Sequence, residues 1–176
     1  MVASQSTTGS GHRIVVMGVA GCGKSEAGAQ LAKALHVPLV EGDRFHPAAN
    51  IAKMRAGQPL DDSDRAGWLA VLAQELARHP DGAVLACSAL KRKYRDVLRA
   101  AAPGLLFVHL VLTREQALQR VASRDGHFYP PTLVDSQFEA LEDPAREPRV
   151  VSVKAVLPLE AVVSQALEGL RRFNIA

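Results

Sequence analysis

Eight consecutive residues, Gly18-Val19-Ala20-Gly21-Cys22-Gly23-Lys24-Ser25, fit the pattern G-x-x-x-x-G-K-[ST] at every fixed position. Glycines let the backbone curl until successive N–H groups converge on one anion, and the helix that follows adds the positive end of its dipole. A nest of this kind suits the phosphates of ATP, with Gly18, Ala20, Gly21, Cys22 and Gly23 forming the loop around them. Lys24 supplies a mobile cation for the β- and γ-phosphates, and the Ser25 hydroxyl is placed to ligate Mg²⁺. So short a pattern also occurs by chance, and its flanks have to decide. Residues 13–17, RIVVM, are apolar and β-branched, as a buried parallel strand requires, and residues 26–36 read as a helix.

The elements that must position this loop follow from the remaining periodicity. Residues 37–43 read as a second strand with Glu41 and Asp43 at its carboxyl end, where open α/β sheets bind ligands. A short helix spans residues 51–55. Asp61-Asp62-Ser63-Asp64 then offers N-cap chemistry to a helix carrying Trp68, Leu69, Leu72 and Leu76. Strands are predicted at residues 83–87, 105–112 and 150–153, and helices at 91–101, 115–124, 132–141 and 159–172. Alternating strands and helices make an α/β fold, a central five-stranded parallel sheet covered on both faces. The polar stretch at residues 1–12 is expected to be a flexible tail ahead of one domain at 13–176.

Bulk properties exclude several classes. With 21 basic and 18 acidic residues the net charge is only +3, too little for a nucleic-acid-binding field despite a pI near 9.1. Cys22 and Cys87 are the only cysteines and stand in no metal-ligand spacing. The first residues lack the charged and apolar regions of a signal peptide, and no apolar run approaches the roughly 20 residues that span a bilayer. A cytoplasmic location without membrane attachment is the expectation. There is no N-K-x-D element for guanine and no L-S-G-G-Q, and the third strand ends in Cys87-Ser88 where many phosphate-loop proteins carry an Mg²⁺-holding Asp.

Several longer stretches resemble one family. Glu41-Gly42-Asp43-Arg44-Phe45-His46-Pro47, Asn50-Ile51-Ala52-Lys53-Met54, Gly57-Gln58-Pro59-Leu60, Asp62-Ser63-Asp64-Arg65 with Trp68, and Cys87-Ser88-Ala89-Leu90-Lys91-Arg92-Lys93-Tyr94-Arg95-Asp96 are similar to the gluconate kinases of the phosphate-loop type. So are His127-Phe128-Tyr129-Pro130 and Ser136-Gln137-Phe138 with Leu141-Glu142, except that Tyr129 stands where the family usually has Met. The resemblance covers nearly all of residues 14–170. It implies a nucleoside- and shikimate-kinase-like three-layer fold, a lid at about residues 124–137, a homodimer, and ATP- and Mg²⁺-dependent phosphorylation of D-gluconate to 6-phosphogluconate.

On that resemblance Asp43 accepts the proton of the attacking hydroxyl, as a positioned carboxylate can, and Glu41 reaches Mg²⁺ through water. For both, an exposed turn carboxylate is the competing reading. Lys91, Arg92 and Arg95 are candidates for the carboxylate and hydroxyls of the polyol acid, against a solvated basic helix face that Lys93 and Arg99 are expected to share. His46 is a substrate contact or a turn cap. Arg120 would lie against adenine, and Arg124 would close onto the phosphates with the lid, which keeps water from the γ-phosphate. A kinase for another small acid such as shikimate is the nearest alternative, and a nucleotide-driven switch without an acceptor is a more distant one.

Overall fold

The computed structural model of the protein describes residues 11–124 and 130–175. Its centre is a five-stranded, all-parallel sheet in the order β2-β3-β1-β4-β5, from β1 (Arg13–Met17), β2 (Leu39–Glu41), β3 (Ala83–Ala86), β4 (Leu106–Val111) and β5 (Val150–Lys154). Among the described residues seven helices connect and cover it: α1 (Lys24–Leu35), α2 (Ala48–Arg55), α3 (Asp62–Ala77), α4 (Arg92–Ala101), α5 (Arg114–Ala122), α6 (Pro131–Ala140) and α7 (Leu159–Arg171). The expected elements are therefore present. The second strand is shorter than expected, because Gly42–Phe45 winds into a 3₁₀ turn, and α2 begins earlier, at Ala48.

Side-chain alternation along β1 explains why both faces are covered. Ile14 and Val16 point to one side, into a core shared with Leu31 of α1 and with Ala166 and Leu170 of α7. Val15 and Met17 point to the other, against Trp68, Leu72 and Leu76 of α3 and Leu98 of α4. The part of a central strand that is buried on both faces has to be apolar at every position, as residues 14–17, IVVM, are. With all strands parallel, the carboxyl ends of β1, β2 and β3 come out at one edge. The chain that follows them carries the glycine-rich loop, the 3₁₀ turn with Asp43, and Cys87-Ser88.

Local chemistry sets the boundaries. Asp61 caps α3 in a capping box, its Oδ1 accepting from the Asp64 N–H at 2.8 Å while the Asp61 N–H donates to Asp64 Oδ2 at 3.0 Å. Thr113 and Gln116 cap α5 the same way. Gly42 is needed for close approach, since a Cβ there would stand 2.5 Å from the Ala86 carbonyl oxygen of β3.

Arg95 is the unexpected core residue, with no exposed side-chain surface. Its Nη1 donates to the carbonyls of Ala89 at 2.7 Å and Leu90 at 3.0 Å. Its Nη2 donates to the Glu142 carbonyl at 2.9 Å and to Glu147 Oε2 at 2.5 Å. Ala89 sits at φ 45, a left-handed conformation costly for alanine, and this guanidinium holds its carbonyl in place. Burial pushes the Glu147 carboxyl up, but hydrogen bonds and charge from Arg95 and Arg99 outweigh it and hold the group below its usual value of 4.5.

Replacing Arg95 with Met leaves Glu147, 7% exposed, without its main partner, and removes a donor from the carbonyls of Ala89, Leu90 and Glu142. The expected cost is about 3–5 kcal/mol, or a Tm lower by roughly 10 °C. A carboxylate with a depressed folded pKa stabilises above its unfolded pKa, and the contribution is lost as pH falls through the folded one. Thermal unfolding followed by circular dichroism should therefore show the Arg95→Met deficit shrinking below pH 4.5. A deficit under about 1 kcal/mol at neutral pH would contradict this account.

Candidate functional site

The glycine-rich loop leaves β1 and closes on α1. Gly18, at φ 148, lies so tightly against its surroundings that a Cβ would meet the Leu110 carbonyl oxygen at 2.7 Å and the Cys22 sulfur at 2.8 Å. Gly23 caps α1 in the left-handed region, at φ 85, and points the first N–H groups of the helix, which have no intrahelical partner, into the loop. Lys24 folds back over it, Nζ donating to the carbonyls of Gly18 at 3.0 Å and Val19 at 3.1 Å. Besides the Gly18 N–H, which bonds the Ser88 carbonyl at 3.3 Å, two loop amides are engaged by the protein itself. The Cys22 N–H, expected among the phosphate donors, bonds the Val19 carbonyl at 3.3 Å, and the Ala20 N–H bonds Gln137 Oε1 of α6 at 2.6 Å.

Ser25 and Glu41, both expected beside Mg²⁺, meet: Ser25 Oγ donates to Glu41 Oε2 at 3.0 Å. Among the described residues no three His, Cys, Asp or Glu side chains are grouped to hold a metal ion. Mg²⁺ needs no such cage, because it keeps several waters and takes few protein ligands beside substrate phosphates. A hydroxyl with a carboxylate in hydrogen-bond contact is a donor set that fits it.

A cleft of about 370 Å³ extends from this loop, and Lys24, Ser25, Asp43, His46 and Arg124 all line it. Asp43 sits on the 3₁₀ turn with its side chain 85% exposed, its Oδ1 3.8 Å from His46 Nε2. The turn is held from below, where the Trp68 indole N–H donates to the Gly42 carbonyl at 2.8 Å. His46 is buried against the Trp68 ring, centroids 4.1 Å apart and planes within 15°. Burial lowers its pKa, partly opposed by Asp43 and reinforced by Arg65. Beside the loop, Cys87 is fully buried and its thiol is pushed up to about 12, leaving it inert.

The basic residues differ most from expectation. Lys91, Arg92 and Arg95, the candidates for the acceptor's carboxylate, are absent from the cleft wall. Lys91 pairs with Asp62 at 3.0 Å, Arg92 is exposed beside Asp96, and Arg95 is the core guanidinium already described. Lys93 also binds Asp62. Beside Lys24 and Arg124, the cleft is lined by Arg65 of α3, 9% exposed, lying over the Tyr94 ring at 5.5 Å with Nε directed at the Leu60 carbonyl at 3.5 Å. The sequence carried a signal for it. Residue 65 falls in helical phase with Trp68, Leu69, Leu72 and Leu76, and an arginine on a buried face needs an anionic partner.

Arg120 lines a second hollow of about 160 Å³ with Cys22, Gly23, Leu157 and Val162, on the far side of the loop. Its guanidinium donates to the carbonyls of Gly21 and Ala155, which fixes it as one wall. Arg124 is exposed, at the last described position before the gap. The motif residues His127 and Phe128 and the departure at Tyr129 lie, with the rest of residues 125–129 of the expected lid, outside the described residues, as does most of the expected tail.

The chain matches the family described as an AAA domain over residues 14–148. It is 40% identical over 172 residues to the thermoresistant gluconokinase of Escherichia coli (strain K12), covering 95% of this chain and 98% of that protein. The crystal structure of a gluconokinase from Sinorhizobium meliloti 1021 superimposes with a TM-score of 0.87 at 48% identity, over 92% of this chain and 93% of that one. Shikimate kinase from Aquifex aeolicus vf5 shares the fold, with a TM-score of 0.65 at 18% identity over 93% and 98% of the two chains.

A Gly18→Ala substitution tests the loop geometry. The added methyl forces the loop off the Leu110 carbonyl, and ATP affinity by titration calorimetry should fall at least about tenfold with the far-ultraviolet spectrum unchanged. An affinity within about twofold of the parent would mean that the loop tolerates the shift.

Proposed function

The chain belongs to the gluconokinase family, and we propose that its cleft transfers the γ-phosphoryl group of ATP to the 6-hydroxyl of D-gluconate. One observation carries the reading: an exposed carboxylate, Asp43, and a buried guanidinium, Arg65, open onto the same cleft as the phosphate loop. That is the polarity a polyol acid needs, a proton acceptor for one end and a cation for the other.

In this reading the loop amides and Lys24 hold the phosphates, and Arg120 flanks the adenine. Ser25, backed by Glu41, would hold the Mg²⁺ that neutralises phosphate charge when bound. Arg65 pairs with the gluconate carboxylate and replaces the α4 residues in that role. Asp43 orients the acceptor hydroxyl and takes its proton, while positioning and charge stabilisation lower the barrier. Arg124 meets the transferring group as the segment at about residues 124–137 closes, excluding water. A cytoplasmic homodimer completes the proposal, and light scattering on the purified protein tests its assembly.

An ADP-release assay with ATP and Mg²⁺ across gluconate, shikimate, glucose and a nucleoside monophosphate tests the substrate. A response to gluconate alone is expected, and a response to another acceptor alone would refute the assignment. Asp43→Asn keeps the side chain's shape but removes its charge, so single-turnover transfer should fall by roughly 10² to 10⁴ with ATP affinity unchanged. Transfer near the parental rate would make Asp43 a turn carboxylate. Arg65→Ala should raise the gluconate KM by about tenfold to a hundredfold while the ATP KM stays within about twofold, as for a lost charge-assisted pair. An unchanged gluconate KM would remove Arg65 from the acceptor site.

A further inference from the structure

The proton on His46 can be located without seeing hydrogens. Asn50 is buried at the start of α2, and its side-chain nitrogen makes two contacts, 3.0 Å to the Asp64 carbonyl oxygen and 3.2 Å to His46 Nδ1. A backbone carbonyl only accepts, so the amide must present its NH₂ end there, since its oxygen would be repelled. The same NH₂ can only donate to Nδ1. His46 Nδ1 therefore carries a lone pair, and the ring's single proton is on Nε2, the nitrogen facing Asp43 Oδ1 at 3.8 Å.

That separation is too long for a direct hydrogen bond, and an oxygen seated over the pair can stand within reach of both. The charged groups facing the ring are Asp43 from the 3₁₀ turn and Arg65 from α3, with the Lys53–Asp64 ion pair behind Asn50. Burial against Trp68 and the Asn50 donor both act against a second ring proton.

We propose that Asn50 is a positioning residue that locks His46 as a neutral Nε2–H donor, and that this N–H holds the oxygen of the hydroxyl whose proton Asp43 takes. The proposal rests on the gluconate reading. In the step, one lone pair of the hydroxyl oxygen accepts from His46 and the other forms the bond to phosphorus as the bond to the ADP oxygen breaks. The hydroxyl proton passes to Asp43, and His46 keeps its own. A donor at this point turns the attacking lone pair toward the phosphate, and a neutral ring does so without the charge that would make Asp43 a weaker base.

Nitrogen-15 NMR of the histidine-labelled full-length protein, with His46 assigned by its loss in a variant, reads the tautomer directly. The Nε2–H form is expected throughout about pH 6 to 8.5, with or without gluconate. Asn50→Ala should release the ring, so that Nδ1–H appears and the acid limb of kcat moves toward the ordinary histidine range while the ATP KM holds. His46→Gln, which can place an amide N–H near the Nε2 position, should lose less than about tenfold in single-turnover transfer, and His46→Asn, which cannot reach it, about a hundredfold. An Nδ1–H tautomer in the parent, or equal losses in the two His46 variants, overturns the proposal. If the parent shows the Nε2–H form but transfers nothing to gluconate, the substrate reading has failed and the assignment of the hydroxyl falls with it. An Nδ1–H form with normal gluconate transfer sinks the proposal alone.

Discussion

The buried hydrogen bond from the Trp68 indole to the Gly42 carbonyl holds the acceptor side of the cleft together. Trp68 belongs to α3, and Gly42 begins the turn that carries Asp43. The bond ties a helix from one layer to the strand end from which the carboxylate projects. The same indole supports His46 by stacking, and α3 delivers Arg65 one turn earlier. The turn has little freedom on its other side either, because Gly42 packs against the Ala86 carbonyl with no space for a side chain. An exposed carboxylate is usually mobile, yet this one stands on backbone fixed from two directions, which is what catalytic positioning requires.

Charge is distributed by the same logic. α4 is rich in lysine and arginine, but its cations are committed to structure. Asp62, in the first turn of α3, receives Lys93, Tyr94 and Lys91, and these hydrogen bonds hold its carboxyl well below the usual range. Burial, with help from Asp62, pushes the Tyr94 hydroxyl up. The arrangement joins α3 to α4 and fixes the ring on which Arg65 lies. Arg95, the residue after Tyr94, turns inward to Glu147 and clamps the strained chain after β3, whose Ser88 carbonyl accepts the Gly18 N–H at the base of the phosphate loop. A residue placed by sequence among the substrate ligands thus acts on the loop's support.

The phosphate loop itself is largely shaped by contacts within the chain. Its glycines hold left-handed and close-packed backbone, and Lys24 bonds the loop's own carbonyls. A loop built this way loses little entropy on binding, which conserves affinity. The contact between Gln137 and the Ala20 amide links the loop to α6, at the end of the segment where a lid is expected.

How much of this was legible in the chain depends on the range of the forces involved. The phosphate loop, its strand and its helix are local: glycine spacing, β-branched residues and helical periodicity act over a few residues, so Gly18 to Ser25 and the parallel α/β class could be read directly. Asp43 and Glu41 were legible because chain direction alone puts a parallel strand's end at the ligand edge. The direction of a long basic side chain obeys no such rule. Whether Arg95 turns out to a substrate or in to Glu147 depends on a partner 52 residues away, and Arg65 enters the cleft only because Tyr94 and Trp68 give its helix a fixed seat. The proton on His46 was equally out of reach of the sequence, since it follows from a backbone carbonyl at position 64 that only the packing of α2 against α3 brings beside Asn50. The chain by itself determined the fold class and the phosphate chemistry, through short-range geometry. Tertiary structure decided which charges face the acceptor, because long-range packing settles which of them are already paired.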